Sequence, residues 1–171
     1  MKIILGISGA NGTALAKTAI AKLGKSHSLF VAATEQGERR FFEECGIELY
    51  DFLRRRQKIT RLNNTDRETA SNADVMLFLP CSSAEAAKTA SGCSDSLLTY
   101  AADRMLCRKK PLVLAVGETM LSAVTLKNLE RLSALGATVC PRVPIFSDRN
   151  HCENTLEPLL QRLLSDCEIS I

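Results

Sequence analysis

Between Gly6 and Thr13 the chain reads GISGANGT: three glycines, two hydroxyls and an asparagine within eight residues. An apolar run precedes this stretch and a helix-like pattern follows it. Short side chains let another group approach the backbone, and the N–H groups at a helix start attract anions. The turn can therefore hold a phosphate on its N–H groups, helped by Ser8, Asn11 or Thr13. A tight strand-to-helix turn that binds nothing is the other reading of the same residues. The spacing is not the dinucleotide fingerprint G-x-G-x-x-G, no acidic residue closes the second apolar run to take a ribose, and there is no P-loop lysine. A second polar turn, PCSSAE from Pro80 to Glu85, also follows an apolar run. Glu118 begins a loop after a third such run, a position rich in function in open α/β sheets. Other chemistry is poorly represented. The seven cysteines form no Cys-x-x-Cys pair and the histidines are His27 and His151, so reduced cysteines acting as small core residues are expected rather than a zinc site.

The elements that must position these residues are legible in the hydrophobic pattern. Lys2–Ile7, Leu29–Ala33, Val75–Leu79, Leu112–Val116 and Thr138–Cys140 read as strands. Ala14–Leu23, Glu35–Cys45, Glu48–Arg56, Ala84–Ser91, Ser96–Arg108, Ser122–Leu135 and Thr155–Ser165 read as helices. Residues 57–72 are polar and are expected to form a mobile loop. Strands that are apolar throughout, alternating with helices, predict one flavodoxin-like or Rossmann-like α/β domain over residues 1–171, with helices on both faces of a parallel sheet.

Composition is that of an ordinary globule, 46% apolar and 24% charged with a net charge of +3, and does not call for nucleic acid or an anionic membrane. The cluster Arg54, Arg55, Arg56 and Lys58 reads as a solvated helix face or oligomer rim. No run approaches the ~20 apolar residues of a membrane span, no signal-peptide pattern opens the chain, and a cytoplasmic location is expected.

Longer stretches carry a resemblance. GISGANG resembles the G-I-[ST]-G-A-S-G opening of the UbiX flavin prenyltransferases. ADVMLFLPCSSAEAAKTASGCSDSLLTYAAD resembles their strand, Pro-Cys-Ser loop and Ala-Ala-Asp helix. KKPLVLAVGETMLSAVTLKNLERLSALGATVCPRVPIF resembles their R-R-P-L-V-L-V-x-R-E-T-P region. The resemblance implies a doubly wound fold, a trimer-based homo-oligomer of up to twelve copies, FMN as cofactor, and dimethylallyl phosphate as the small-molecule substrate whose prenyl group passes to reduced FMN. It assigns the cofactor to Gly9, Ala10, Asn11, Thr34, Ser82, Ser83 and Gly117, proton handling to Glu44 and Glu118, and substrate contacts to Ser147 and Arg162.

The chain departs from that pattern where the family carries its cations. Tyr100 and Gly117 stand in place of arginines, Cys107 in place of a lysine, Ser147 in place of a tyrosine, and Asn11 in place of the first-loop serine. Weak or altered prenyl transfer is the expectation, unless Arg108, Lys109 or Arg142 substitutes. A non-catalytic flavin carrier or scaffold subunit is the rival reading, and a decarboxylase of a small carboxylic acid a third. The related cysteine decarboxylases have an asparagine where this chain has Ala84, and neither histidine matches theirs. Glu85, where the family has threonine, is expected to cap the following helix, and Tyr100 to stack on the flavin ring or pack in a subunit contact. The apolar helix Ser96–Cys107 is the expected contact between copies.

Overall fold

The computed structural model describes residues 1–118, 120–140 and 152–165. Six strands form one parallel sheet: β1 (Lys2–Ile7), β2 (Ser28–Ala33), β3 (Ile59–Arg61), β4 (Val75–Cys81), β5 (Leu112–Val116) and β6 (Thr138–Cys140), in the spatial order β3-β2-β1-β4-β5-β6. Leaving out the edge strand β3, the remaining strands follow the flavodoxin-like order, as the pattern of apolar runs predicts.

Apart from Lys2, the exposed first residue of β1, the central strands are apolar because both of their faces are covered. On one face Ile3, Leu5, Ile7 and Leu77 pack against α1 (Thr13–Ser26), α2 (Glu35–Cys45), α3 (Leu49–Arg54) and α8 (Cys152–Ser165). On the other, Ile4, Met76, Phe78 and Leu114 pack against α4 (Arg67–Ser71), α5 (Ser83–Ala90), α6 (Leu97–Cys107) and α7 (Ala123–Ala134). Gly6 lies level with Phe78 of β4, and a Cβ there would come within 2.9 Å of the Leu98 side chain, so the missing side chain lets α6 close on the sheet.

Residues 57–72, read as a loop from their polarity, carry β3 and α4 instead. The apolar signal is thin because β3 is a three-residue edge strand with Ile59 half-buried and the next two residues exposed. Its pairing with β2 is nonetheless continued at both ends, by Leu29 N–H on Lys58 O and Leu62 N–H on Val31 O. The apolar residues of α6 turn inward: Leu97, Leu98, Ala101, Ala102 and Met105 are buried within this chain, so they do not form the contact between copies expected of them. The large apolar side chains left exposed include Val124, Leu126 and Leu135, in and just beyond α7.

The tightest helix–sheet approach is at Gly37, where a Cβ would sit 2.4 Å from Ile7 O. Backbone on both sides leaves no flexible group to yield. Gly37→Ala is expected to lower stability by about 2 kcal/mol or more, read as a lower urea midpoint; an unchanged midpoint would show that α2 can move off β1.

Candidate functional site

β1 and β4 are neighbours, yet the helices that follow them, α1 and α5, lie on opposite faces of the sheet. This is the switch point at which an open α/β sheet leaves a crevice at the carboxyl ends of its strands. One hydroxyl joins the two turns that border it. Ser8, 1% exposed, donates through Oγ to Pro80 O at 3.1 Å and accepts Ser82 N–H at 2.7 Å, while its own N–H also reaches Pro80 O at 3.1 Å. The Leu79–Pro80 peptide is cis.

The first turn presents open donors. The N–H groups of Gly9, Ala10 and Asn11 have no partner among the described residues. Gly9 abuts the start of α2, since a Cβ there would lie 2.7 Å from Gln36 Cβ. Thr34 caps α2, accepting Gly37 N–H at 3.0 Å, and donates its own N–H to Ile7 O at 3.0 Å. Thr34 also lines a cavity of about 440 Å³ with Arg61, Asn63, Asn64 and Ser96. The two candidate anchors, the 9–11 turn and Thr34, are therefore adjacent. Sequence reasoning missed the cavity wall at Asn63 and Asn64; the paired asparagines after Ile59–Arg61 were its only signal.

Beyond that turn the chain supplies its own anion. Gly12, in the left-handed conformation at φ 98°, donates N–H to both Glu44 oxygens at 3.1 and 3.2 Å, and Thr13 Oγ1 donates to Glu44 Oε2 at 2.8 Å. Glu44 thus satisfies orphan donors at the start of α1 from the neighbouring helix. Thr13 and Ser8, both candidates for holding an anion, are instead bonded internally.

The second turn is closed in the same manner. Ser83 N–H donates to Glu118 Oε1 at 2.6 Å, and Ser82 Oγ caps α5 by accepting Glu85 N–H at 3.3 Å. The cap is thus Ser82 rather than Glu85, because the shorter side chain reaches the N–H three residues on. Gly117 lies against the first turn: a Cβ there would be 2.1 Å from Asn11 O and 2.9 Å from Asn11 N. Glu85 and Glu118 flank the buried Cys81, whose thiol is pushed well above its usual range by burial first and by these two carboxylates next, so it stays protonated and unreactive.

The surroundings of the other expected site residues are local ones. The Tyr100 ring is flanked by the guanidinium groups of Arg67 at 5.0 Å and Arg104 at 5.6 Å, a cation–π arrangement. Cys107 is exposed with Arg104 and Asp103 beside it. Arg162 is exposed on α8, Arg108 donates to Ser71 O, and Lys109 adopts a positive φ of 53°. Arg54 pairs with Asp51 and Arg56 lies over the Phe52 ring, as a solvated helix end would. Ser147, Arg142 and His151 lie outside the described residues. Among the described residues no cluster of histidine, cysteine and carboxylates could hold a metal, and no helix is long and apolar enough to cross a membrane.

A family model described as Flavoprotein matches residues 1–161. A flavin prenyltransferase UbiX from Helicobacter pylori (strain J99) is 35% identical over 166 residues, covering 94% of this chain and 89% of the relative. Among solved structures, a dodecameric FMN-dependent UbiX-like decarboxylase from Escherichia coli O157:H7 superposes with a TM-score of 0.85 at 24% identity, covering 100% of this chain and 96% of that one. The structure of AnUbiX (PadA1) in complex with FMN and dimethylallyl pyrophosphate gives 0.84 at 24% identity, covering 99% and 93%. The chain belongs to the flavoprotein family, in its UbiX branch.

The Ser8 bridge sets the separation of the two turns, and its loss leaves Ser82 N–H without its partner. Ser8→Ala is expected to cost about 1–3 kcal/mol, measured by chemical denaturation. A cost near zero would mean that water or a neighbouring group replaces the hydroxyl.

Proposed function

We propose that this chain binds FMN at the crevice between β1 and β4 and that its nearest activity is dimethylallyl transfer to the reduced flavin, in weakened or altered form. The observation that carries the reading is the row of open N–H groups at Gly9, Ala10 and Asn11 beside the Thr34 cap, in a chain of the UbiX branch. A phosphate needs several convergent donors and close backbone approach, and the residues present fit it there. They fit it less well at Gly12 or Ser83, where Glu44 and Glu118 already accept the N–H groups. In this reading the phosphate rests on Gly9–Asn11 and Thr34, and Ser82, Ser83 and Gly117 border the rest of the cofactor. When bound, the reduced flavin supplies the nucleophilic ring to be prenylated. In this reading Glu44 and Glu118 are the carboxylates that pass protons to and from it, and Ser147 and Arg162 take the substrate side.

The weakening follows from charge. A departing phosphate in a water-poor site needs fixed positive charge, and one lost donor of this kind costs on the order of 3 kcal/mol of transition-state stabilisation. Tyr100, Cys107 and Gly117 are neutral. At Gly117 an arginine could not be accommodated without moving Asn11. Arg61, on the cavity wall with Thr34, and Arg67 and Arg104, on either side of Tyr100, are described cations available to compensate. A non-catalytic flavin-binding subunit is the second reading, favoured by the engagement of both Glu44 and Glu118 with backbone N–H groups.

Purified protein is expected to carry FMN, identified by absorbance and mass. Gly9→Val, which drives a side chain into Gln36, is expected to lose it. Retention of FMN by that variant at wild-type occupancy would move the phosphate elsewhere. Anaerobic incubation of reduced FMN, dimethylallyl phosphate and protein is expected to give prenylated flavin slowly or not at all; turnover at ~1 per second or faster, an ordinary enzymatic rate, would refute the electrostatic argument.

Self-association belongs to the same proposal. Val124, Leu126 and Leu135 are exposed at 69%, 51% and 53%, apolar side chains in and just beyond α7 that contact with a second copy would cover. Light scattering is expected to give several times 18.7 kDa, and a monomer at micromolar concentration would end that part of the reading.

A further inference from the structure

The start of α5 is the other place in the crevice where an anion would be welcome, since a helix N-terminus offers unpaired N–H groups and a positive dipole end. Here three of those donors are already engaged, Ser82 N–H with Ser8, Ser83 N–H with Glu118 and Glu85 N–H with Ser82 Oγ, which leaves Ala84 N–H open among the described residues. Two carboxylates stand over the same turn. Glu85 is only 8% exposed and its Oε2 is buried with no hydrogen-bond partner; Glu118 Oε2 is buried and equally unpartnered. Both act on the fully buried Cys81 thiol and push its titration upward, which puts them within electrostatic reach of one point.

Positive charge is scarce there. Lys88 Nζ lies 3.6 Å from Glu85 Oε1, but it is shared with Asp95 at 2.8 Å. Glu118 has no cationic partner among the described residues. Gly117 precedes Glu118 and its Cβ direction is filled by the Asn11 backbone, so no side chain can bring a cation in at that point. Buried charges are poorly screened by salt, and their repulsion of a second anion is correspondingly persistent.

We propose that Glu85, seconded by Glu118, is a specificity-determining residue that excludes phosphate-bearing co-substrates from the α5 end of the crevice and reserves it for a co-substrate without an anionic group. The proposal rests on the flavin reading above for the identity of the crevice. It does not require that prenyl transfer occur.

The test is equilibrium binding. FMN-loaded wild type, Glu85→Gln, Glu85→Gln/Glu118→Gln and the control Glu130→Gln, on the exposed side of α7, are titrated calorimetrically with inorganic phosphate and with dimethylallyl phosphate. Glu85→Gln is nearly isosteric, and circular dichroism checks its fold. Wild type and the control are expected to bind both probes weakly. Glu85→Gln is expected to tighten both by about tenfold at unchanged flavin content, and the double variant to tighten them further. Wild-type affinity within about twofold of the double variant overturns the proposal, as does equal tightening in the control, which would reflect net charge alone. Should Glu85→Gln fail to fold, Glu85→Thr is titrated in its place: phosphate binding about tenfold tighter than wild type is expected, and wild-type affinity within about twofold overturns the proposal. Absence of FMN from wild-type protein would overturn the flavin reading alone, and the same phosphate comparison on the flavin-free proteins would still decide the exclusion.

Discussion

The Ser8 hydroxyl is the joint on which the crevice depends. Two turns from strands that are neighbours in space, but more than seventy residues apart in sequence, meet through its single oxygen, which gives to Pro80 O and takes from Ser82 N–H. Because Ser8 is buried, neither bond competes with water, and both are correspondingly firm. With the turns fixed, the 9–11 segment is free to present its N–H groups outward. The same constraint fixes Ser82 as the cap of α5.

Around that joint the protein answers its own backbone with carboxylates. Glu44 from α2 closes the start of α1, and Glu118 from the segment after β5 closes the start of α5. Each is a charge-assisted contact to a helix N-terminus, among the stronger hydrogen bonds available to a protein. The pattern separates the donors at the crevice into two sets. Those of Gly12, Thr13, Ser82 and Ser83 are internally matched, while those of Gly9, Ala10 and Asn11 are left for something from outside.

The sheet was legible in the sequence because burial on both faces leaves β4, β5 and, beyond its exposed Lys2, β1 without a charged position. β3 was not, since an edge strand of three residues has one half-buried side chain to show. Within the site, residue types were legible and partners were not. Gly9 and Asn11 follow from the local turn. That Ser8 binds Pro80 and Ser82, or that Thr13 binds Glu44, depends on packing between elements far apart in the chain, which no local spacing encodes. Likewise the apolar content of α6 was visible, but only the fold decides that it faces the sheet.

The contact of Gly117 with Asn11 links two positions that would otherwise vary independently. Any side chain at 117 collides with the carbonyl of 11, so the first turn can keep its present course only while 117 is glycine. A cation could be placed there only by rerouting the first turn as well, and a rerouted turn would in turn permit residues at 117 that are now forbidden. The two sites form an epistatic pair. Such a pair acts as a ratchet: a single change at 117 passes through a misfit intermediate, so the two positions can change only together.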